Sequence, residues 1–298
     1  MRFLFLFTSL LLFSCNKEDN EQITTAIDNL TATIEYKQIN EIDSNLLSLD
    51  IYYNSDIAIQ KPVIVYVHGG GWSIGDKSSQ IENKVNLFRS LNYLLISVNY
   101  RLSPFPFDIS NPNRIKYPNH NIDIADALLW INDNIEQYGG NKDKMALLGH
   151  SAGAHLVALT GTNKIFLENI GLGLSSIKGV AVIDTEGFDI NEQVTNGDNQ
   201  NMYINAFGTD TIINIDASPI YNVLNTLSYP KFFIAKRGSS QRIGYANDFI
   251  NVLETNGVSV SQVNGSAYDH SGINNAIGKP NETLITNALK GFFEGCFE

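Results

Sequence analysis

Met145-Ala146-Leu147-Leu148-Gly149-His150-Ser151-Ala152-Gly153 is the stretch whose reading decides the fold. Met145 to Leu148 form an apolar run of the kind that fills a buried strand, and a helix is expected over Ala154–Thr160. Between them Ser151 lies on a sharp strand-to-helix turn. The flanking Gly149 and Gly153 let neighbouring backbone pack against that turn without Cβ clashes, which leaves the hydroxyl exposed. The helix behind it directs its first N–H groups into the same space and favours negative charge there.

Outward from this turn the chain alternates strands and helices. Pro62–Val67 and Leu94–Tyr100 read as buried parallel strands, as do Val180–Ile183, Phe232–Ala235 and Val258–Val263. Ala32–Lys37 and Leu46–Tyr53 alternate apolar and polar residues, as antiparallel edge strands do. Ile122, Ala125, Leu128, Leu129 and Ile135 recur at helical spacing over 121–138, and Gly139-Gly140 stops that helix. A last helix is expected from about Glu282 to Phe293. The fold class is therefore α/β, one domain over 32–298, with a mostly parallel central sheet covered on both faces. Residues 188–222 break the alternation and are expected to form a small cap or lid.

A second motif, His68-Gly69-Gly70-Gly71-Trp72, directly follows the strand Pro62–Val67. Consecutive glycines allow the N–H groups of Gly70 and Gly71 to turn inward and, with the N–H of Ala152, to hold an oxyanion. A phosphate-binding glycine loop is the competing reading. It fails because no Lys-Ser/Thr follows and no G-x-G-x-x-G is present. Trp72 is expected at the substrate pocket.

With Tyr100-Arg101-Leu102-Ser103-Pro104, Tyr117-Pro118, Trp130, Tyr138-Gly139-Gly140-Asn141 and Asp269-His270, these motifs resemble the α/β-hydrolase family. The resemblance is to its HGGG-type esterases and the small esterase/formamidase-like group, and it covers roughly residues 45–295. It implies an α/β-hydrolase fold and a Ser…acid…His order of catalytic residues, with Ser151 as nucleophile. Of five histidines only His270 follows the last expected strand, where that order requires the base. His68 belongs to the oxyanion loop, His150 is the variable residue of the serine turn, His120 opens a helix and His155 lies inside one.

The acid departs from the family pattern. The strand Tyr229–Ala235 leads into Lys236-Arg237-Gly238-Ser239-Ser240-Gln241-Arg242, which holds no carboxylate. Asp248 falls within the next helix, and Asp269 adjoins His270, where neighbouring side chains diverge. Asp184 and Glu186, after the strand Val180–Ile183, are the remaining candidates, and Asp184 is favoured because it ends that strand. Asp189 reads as a turn or cap residue.

The chain has 298 residues, with 31 acidic against 20 basic side chains and a net charge of -11. That balance excludes nucleic acid as a partner, since phosphates need clustered Lys and Arg. Two cysteines exclude a disulfide-dense scaffold. Met1-Arg2 and the apolar run Phe3–Phe13 have the pattern of a signal peptide over residues 1–14, ending in a lipobox-like Leu12-Phe13-Ser14-Cys15. Cys15 is the expected lipidation site and residues 15–31 an acidic tether, so membrane attachment through the lipid at the outer membrane or cell surface is expected. Cys296 is expected to be a packed or idle thiol.

The activity implied is hydrolysis of a carboxylic ester, of a small molecule or a carbohydrate, with neither metal nor organic cofactor. A formamidase or amidase of the same mechanism is the alternative within the class. A non-catalytic binding protein on the same scaffold is the alternative outside it, motivated by the missing acid in the Arg237-Gly238-Ser239-Ser240 turn.

Overall fold

Along β3 (Lys61–Val67), Val63, Val65 and Val67 pack into one apolar cluster and Ile64 and Tyr66 into another, so the strand is buried on both faces. The computed structural model describes residues 28–298. Its other strands are β1 (Asn29–Glu35), β2 (Ser48–Asn54), β4 (Leu94–Val98), β5 (Gly140–His150), β6 (Ile177–Ile183), β7 (Lys231–Lys236) and β8 (Val260–Asn264). They form one sheet in the order β1-β2-β4-β3-β5-β6-β7-β8, with β1–β2 and β2–β4 antiparallel and every other pairing parallel. This is the α/β-hydrolase fold expected from the sequence.

Helices α1 (Glu82–Ser90), α9 (His270–Ala276) and α10 (Leu284–Phe297) cover one face of the sheet. Helices α2 (Asn119–Asn134), α3 (Ala152–Thr162), α4 (Ile165–Glu168) and α8 (Ser240–Thr255) cover the other. The expected helix over 121–138 is α2 continued by a 3-10 turn at Ile135–Tyr138, closed by Gly139 at φ +77°. The last helix starts two residues later than expected, after the N-cap Thr283, with the Glu282 carboxylate just outside it accepting from the N–H groups of Ile285 and Thr286.

The boundary of the tether differs from the sequence reading. The first strand begins at Asn29, so residues 29–31 belong to the sheet and not to a tether. Residues 188–222 form α5 (Ile190–Asn196), α6 (Gln200–Phe207), α7 (Thr211–Asp216) and a 3-10 turn at Pro219–Asn222. This cap is fastened to the body by buried polar groups. The guanidinium of Arg114 donates to the carbonyls of Ile204 and Asn205, and His155 Nε2 donates to that of Ala217 at 2.9 Å. Cys15 and the expected signal segment lie outside the described residues. Among the described residues, no helix is long and apolar enough to cross a membrane.

Candidate active site

Ser151, Asp184 and His270 follow β5, β6 and β8 at the carboxyl edge of the parallel sheet, where crevices open in such folds. Ser151 has φ +56°, a region that non-glycine residues rarely adopt, and its amide donates to the carbonyl of Ile183 at 2.9 Å. Gly153 makes this turn possible: a Cβ there would lie 2.2 Å from the carbonyl oxygen of Val67. Asp184 is held in the same way, at φ +54°, with its amide donating to the carbonyl of Ala235 at 2.9 Å. Both side chains are thus pinned by the ladder of the neighbouring strand and aimed by strained backbone.

The three side chains form one hydrogen-bonded chain. Ser151 Oγ donates to His270 Nε2 at 2.9 Å, and His270 Nδ1 donates to Asp184 Oδ2 at 2.6 Å. The structure brings together the serine, histidine and favoured acid named from the sequence. Glu186 lies two residues beyond and pairs with Arg242, while Asp248 is exposed on α8. Asp269 caps α9 by accepting from the amide of Gly272, and Asp189 caps α5 by accepting from that of Glu192.

The turn that lacks an acid supplies arginines instead. Arg242 donates through Nε to Asp184 Oδ1 at 2.8 Å and through a terminal nitrogen to the Asp184 carbonyl at 3.1 Å. Arg237 pairs with Oδ2 of the same carboxylate. Burial pushes the Asp184 carboxyl up, but the His270 hydrogen bond and the Arg242 charge outweigh it and hold it below the ordinary carboxylate value. The two arginines are the groups that sequence reasoning missed. Their signal was present as a basic turn with nothing to neutralise it.

The oxyanion loop packs directly on the serine turn: a Cβ on Gly69 would lie 2.9 Å from that of Ser151. Gly70 and Gly71 have φ +120° and +58°. Among the described residues the amides of Gly70, Gly71 and Ala152 have no hydrogen-bond partner, so three free donors border the serine. The ring of His68 stacks on Tyr100 at 4.7 Å, and the Tyr100 hydroxyl donates to the His68 carbonyl, which anchors the base of the loop.

A cleft of about 670 Å³ opens over the serine. Part of its lining is polar and wired together. The Tyr66 hydroxyl donates to Asn274, Asn274 to Gln80 and Gln80 to Ser271. Another part is apolar, formed by Met202 and Tyr203 of the cap with Ile74 and Trp72. Trp72, expected at the pocket, borders the cleft but is only 1% exposed, packed edge-on to His155 and Phe207 and tilted against Tyr203. Its role is to wall the cleft more than to touch its contents. The ligand atoms of His150, Asp184 and His270 lie within 4.8 Å of one another. They do not suit a metal, because Asp184 is already engaged by His270 and two cationic side chains.

The chain is similar to several known esterases. Esterase LipQ of Mycobacterium tuberculosis is 36% identical over 113 residues, which are 37% of this chain and 25% of LipQ. The para-nitrobenzyl esterase of Bacillus subtilis is 28% identical over 144 residues, 46% of this chain and 29% of that protein. The chain thus spans less than a third of the length of these relatives. Among solved structures, esterase B of Lactobacillus rhamnosis superposes with a TM-score of 0.70 at 20% identity, covering 91% of this chain and 86% of that one. A truncated carbohydrate esterase from gut microbiota superposes with a TM-score of 0.65 at 16% identity, covering 90% and 95%. These two likenesses establish the fold. The BD-FAE family profile matches residues 49–238, well over half of the sequence and both glycine-rich motifs, and the chain belongs to that family.

Proposed function

We propose that this protein is a serine hydrolase of carboxylic esters. The observation that carries the reading is the Ser151–His270–Asp184 chain, at 2.9 and 2.6 Å, opening into a cleft beside three unpartnered amides. Ser151 Oγ attacks the ester carbonyl while His270 Nε2 takes its proton, and the carbonyl oxygen becomes an oxyanion held by the amides of Gly70, Gly71 and Ala152. The imidazolium then gives its proton to the departing alcohol oxygen, leaving an acyl-enzyme. Water activated by His270 repeats the sequence and releases the acid. Asp184 keeps the proton on Nδ1 and stabilises the imidazolium as it forms. The esterase names of the relatives support the reaction class.

The alcohol portion of the substrate is a small or carbohydrate alcohol. The hydrogen-bonded lining of Tyr66, Asn274, Gln80 and Ser271 supports this, as does the carbohydrate esterase among the structural neighbours. The contact of Asp184 with His270 supports this catalytic reading over a non-catalytic one. Attachment to the cell surface through a lipid on Cys15 completes the proposal.

The test is labelling by a fluorophosphonate probe together with a panel of acetyl, butyryl, octanoyl and feruloyl esters. Labelling and turnover by the wild type, both abolished in Ser151→Ala, are expected. A wild type that neither labels nor turns over any ester in the panel would overturn the reading.

A further inference from the structure

His150 occupies the variable position of the Gly-x-Ser-x-Gly turn, and its ring lies between the two halves of the site. Its backbone ends β5 and pairs with Ile183 of β6, so its Cα is fixed by the sheet. On one side the ring abuts the oxyanion loop: a Cβ on Gly69 would lie 3.1 Å from its Nδ1. On the other it lies 4.8 Å, centroid to centroid, from the ring of His270. Its Nε2 is 2.8 Å from the backbone carbonyl oxygen of His270. A carbonyl only accepts, so the proton is on Nε2 and Nδ1 is bare. Burial pushes His150 down to about 3, with the nearby His270 adding to the shift, so this tautomer stays neutral across the working range.

The base needs such a support. His270 opens a seven-residue helix that follows β8, the edge strand of the sheet, whose residues are mostly exposed. Its own side chain is 45% exposed. Asp184 orients the imidazole, but a hydrogen bond to Nδ1 does not fix where the main chain of residue 270 lies.

We propose that His150 is a positioning residue: its Nε2–H donates to the carbonyl of His270 and sets the backbone of the base at a fixed distance from the nucleophile one residue away. Ser151 is covalently next to His150, and His270 hangs from the His150 ring. One side chain therefore determines the 2.9 Å contact between groups 119 residues apart. This role rests on the hydrolase reading above, because it acts on the base of that mechanism.

The test uses the reach of amide side chains. Glutamine places its amide nitrogen near the position of imidazole Nε2, while asparagine reaches only the position of Nδ1. His150→Gln is expected to keep turnover within about threefold of wild type. His150→Asn and His150→Leu are expected to lose on the order of 10- to 100-fold in kcat with little change in KM, the scale of misplacing a reacting group by about 1 Å. The rate of fluorophosphonate labelling should fall with kcat. Circular dichroism and thermal melts identify the folded variants, and the Gln–Asn pair alone decides the question if the leucine variant does not fold. Wild-type kcat in His150→Asn, or a folded His150→Gln as slow as His150→Asn, would overturn the role. A wild type that is never labelled would instead bring down the hydrolase reading beneath it.

Discussion

Arg242 donates its Nε proton to Oδ1 of Asp184 at 2.8 Å, from the turn in which the family pattern carries its acid. Acid and turn have exchanged roles across the β6–β7 pairing: β6 delivers the carboxylate, and the turn after β7 delivers the cations that keep it charged. A carboxylate this buried is costly without partners, and two guanidinium groups share it, Arg242 on Oδ1 and Arg237 on Oδ2. Arg242 also spans to Glu186, so one planar fork serves two acids.

Replacing Arg242 should therefore weaken both stability and turnover. Arg242→Gln is expected to lose roughly 1.5–3 kcal/mol in urea unfolding, the scale of hydrogen bonds to a charged group. Turnover should fall as the Asp184–His270 contact loosens. Arg242→Lys should not restore either property, because an ammonium cannot reproduce the fork. An Arg242→Gln protein as stable and as fast as wild type would show that Arg237 alone suffices.

The choice of acid is tested by three amides. Asp184→Asn should leave the fold intact and lower turnover by orders of magnitude, roughly 10⁴ in the best-studied triad. Glu186→Gln should have a much smaller effect, acting only through Arg242, and Asp248→Asn, on the exposed face of α8, should have none. Combining Asp184→Asn with Ser151→Ala should be barely worse than Ser151→Ala alone, because such residues act as a unit. Near-normal turnover in Asp184→Asn would remove it from the mechanism.

Much of this is legible in the sequence. The apolar runs at 62–67, 94–98 and 145–148 are buried on both faces, so their composition alone marked them as central strands. The absence of a carboxylate in 236–242 pointed to Asp184, because the site collects at strand ends. What could not be read were contacts that depend on which strands become neighbours. Arg237 and Arg242 meet Asp184 only because β7 lies beside β6, more than fifty residues away in sequence. His150 meets His270 only because α9 returns over the serine turn. Residue type predicted the members of the chain Ser151–His270–Asp184 but not the groups that hold them.

One crowded glycine and one open glycine predict opposite outcomes for the same substitution. Gly153→Ala would put a Cβ 2.2 Å from one carbonyl oxygen and 2.5 Å from another, both backbone atoms with no room to give. It should destabilise by about 1–3 kcal/mol or more and misplace Ser151. Gly291→Ala, exposed within α10 with nothing near its Cβ, should stabilise by about 0.5–1 kcal/mol. Differential scanning calorimetry reads both, and a neutral Gly153→Ala would mean that the turn has slack.

Location is tested by fractionation. With Cys15 lipidated, Cys15→Ala should move the protein from the membrane fraction to the soluble one, since each buried CH₂ of an acyl chain contributes about 0.8 kcal/mol of anchoring. Unchanged partitioning would end the lipid-anchor proposal.

Lys84 makes the last prediction, because it is a fully buried cation with no carboxylate partner among the described residues. Its Nζ donates to the carbonyls of Gln80 and Asn274 and lies 4.9 Å from the Tyr66 ring centroid, behind the polar lining of the cleft. Burial pushes it down to about 7, whereas in the unfolded chain it titrates near 10.4. Between these values the unfolded state binds more protons than the folded one, so stability rises with pH across that window. Below about 7 the folded protein bears the whole desolvation penalty of the ammonium. Lys84→Met has no such group. Measured by urea unfolding at pH 6.5 and pH 10, wild type should gain on Lys84→Met by up to about 4 kcal/mol as the pH rises. The direction is the decisive part: stability curves that run parallel, or a wild type that loses ground as pH rises, would mean that Lys84 stays charged inside the fold and that its two carbonyl partners and the Tyr66 ring fully compensate its burial.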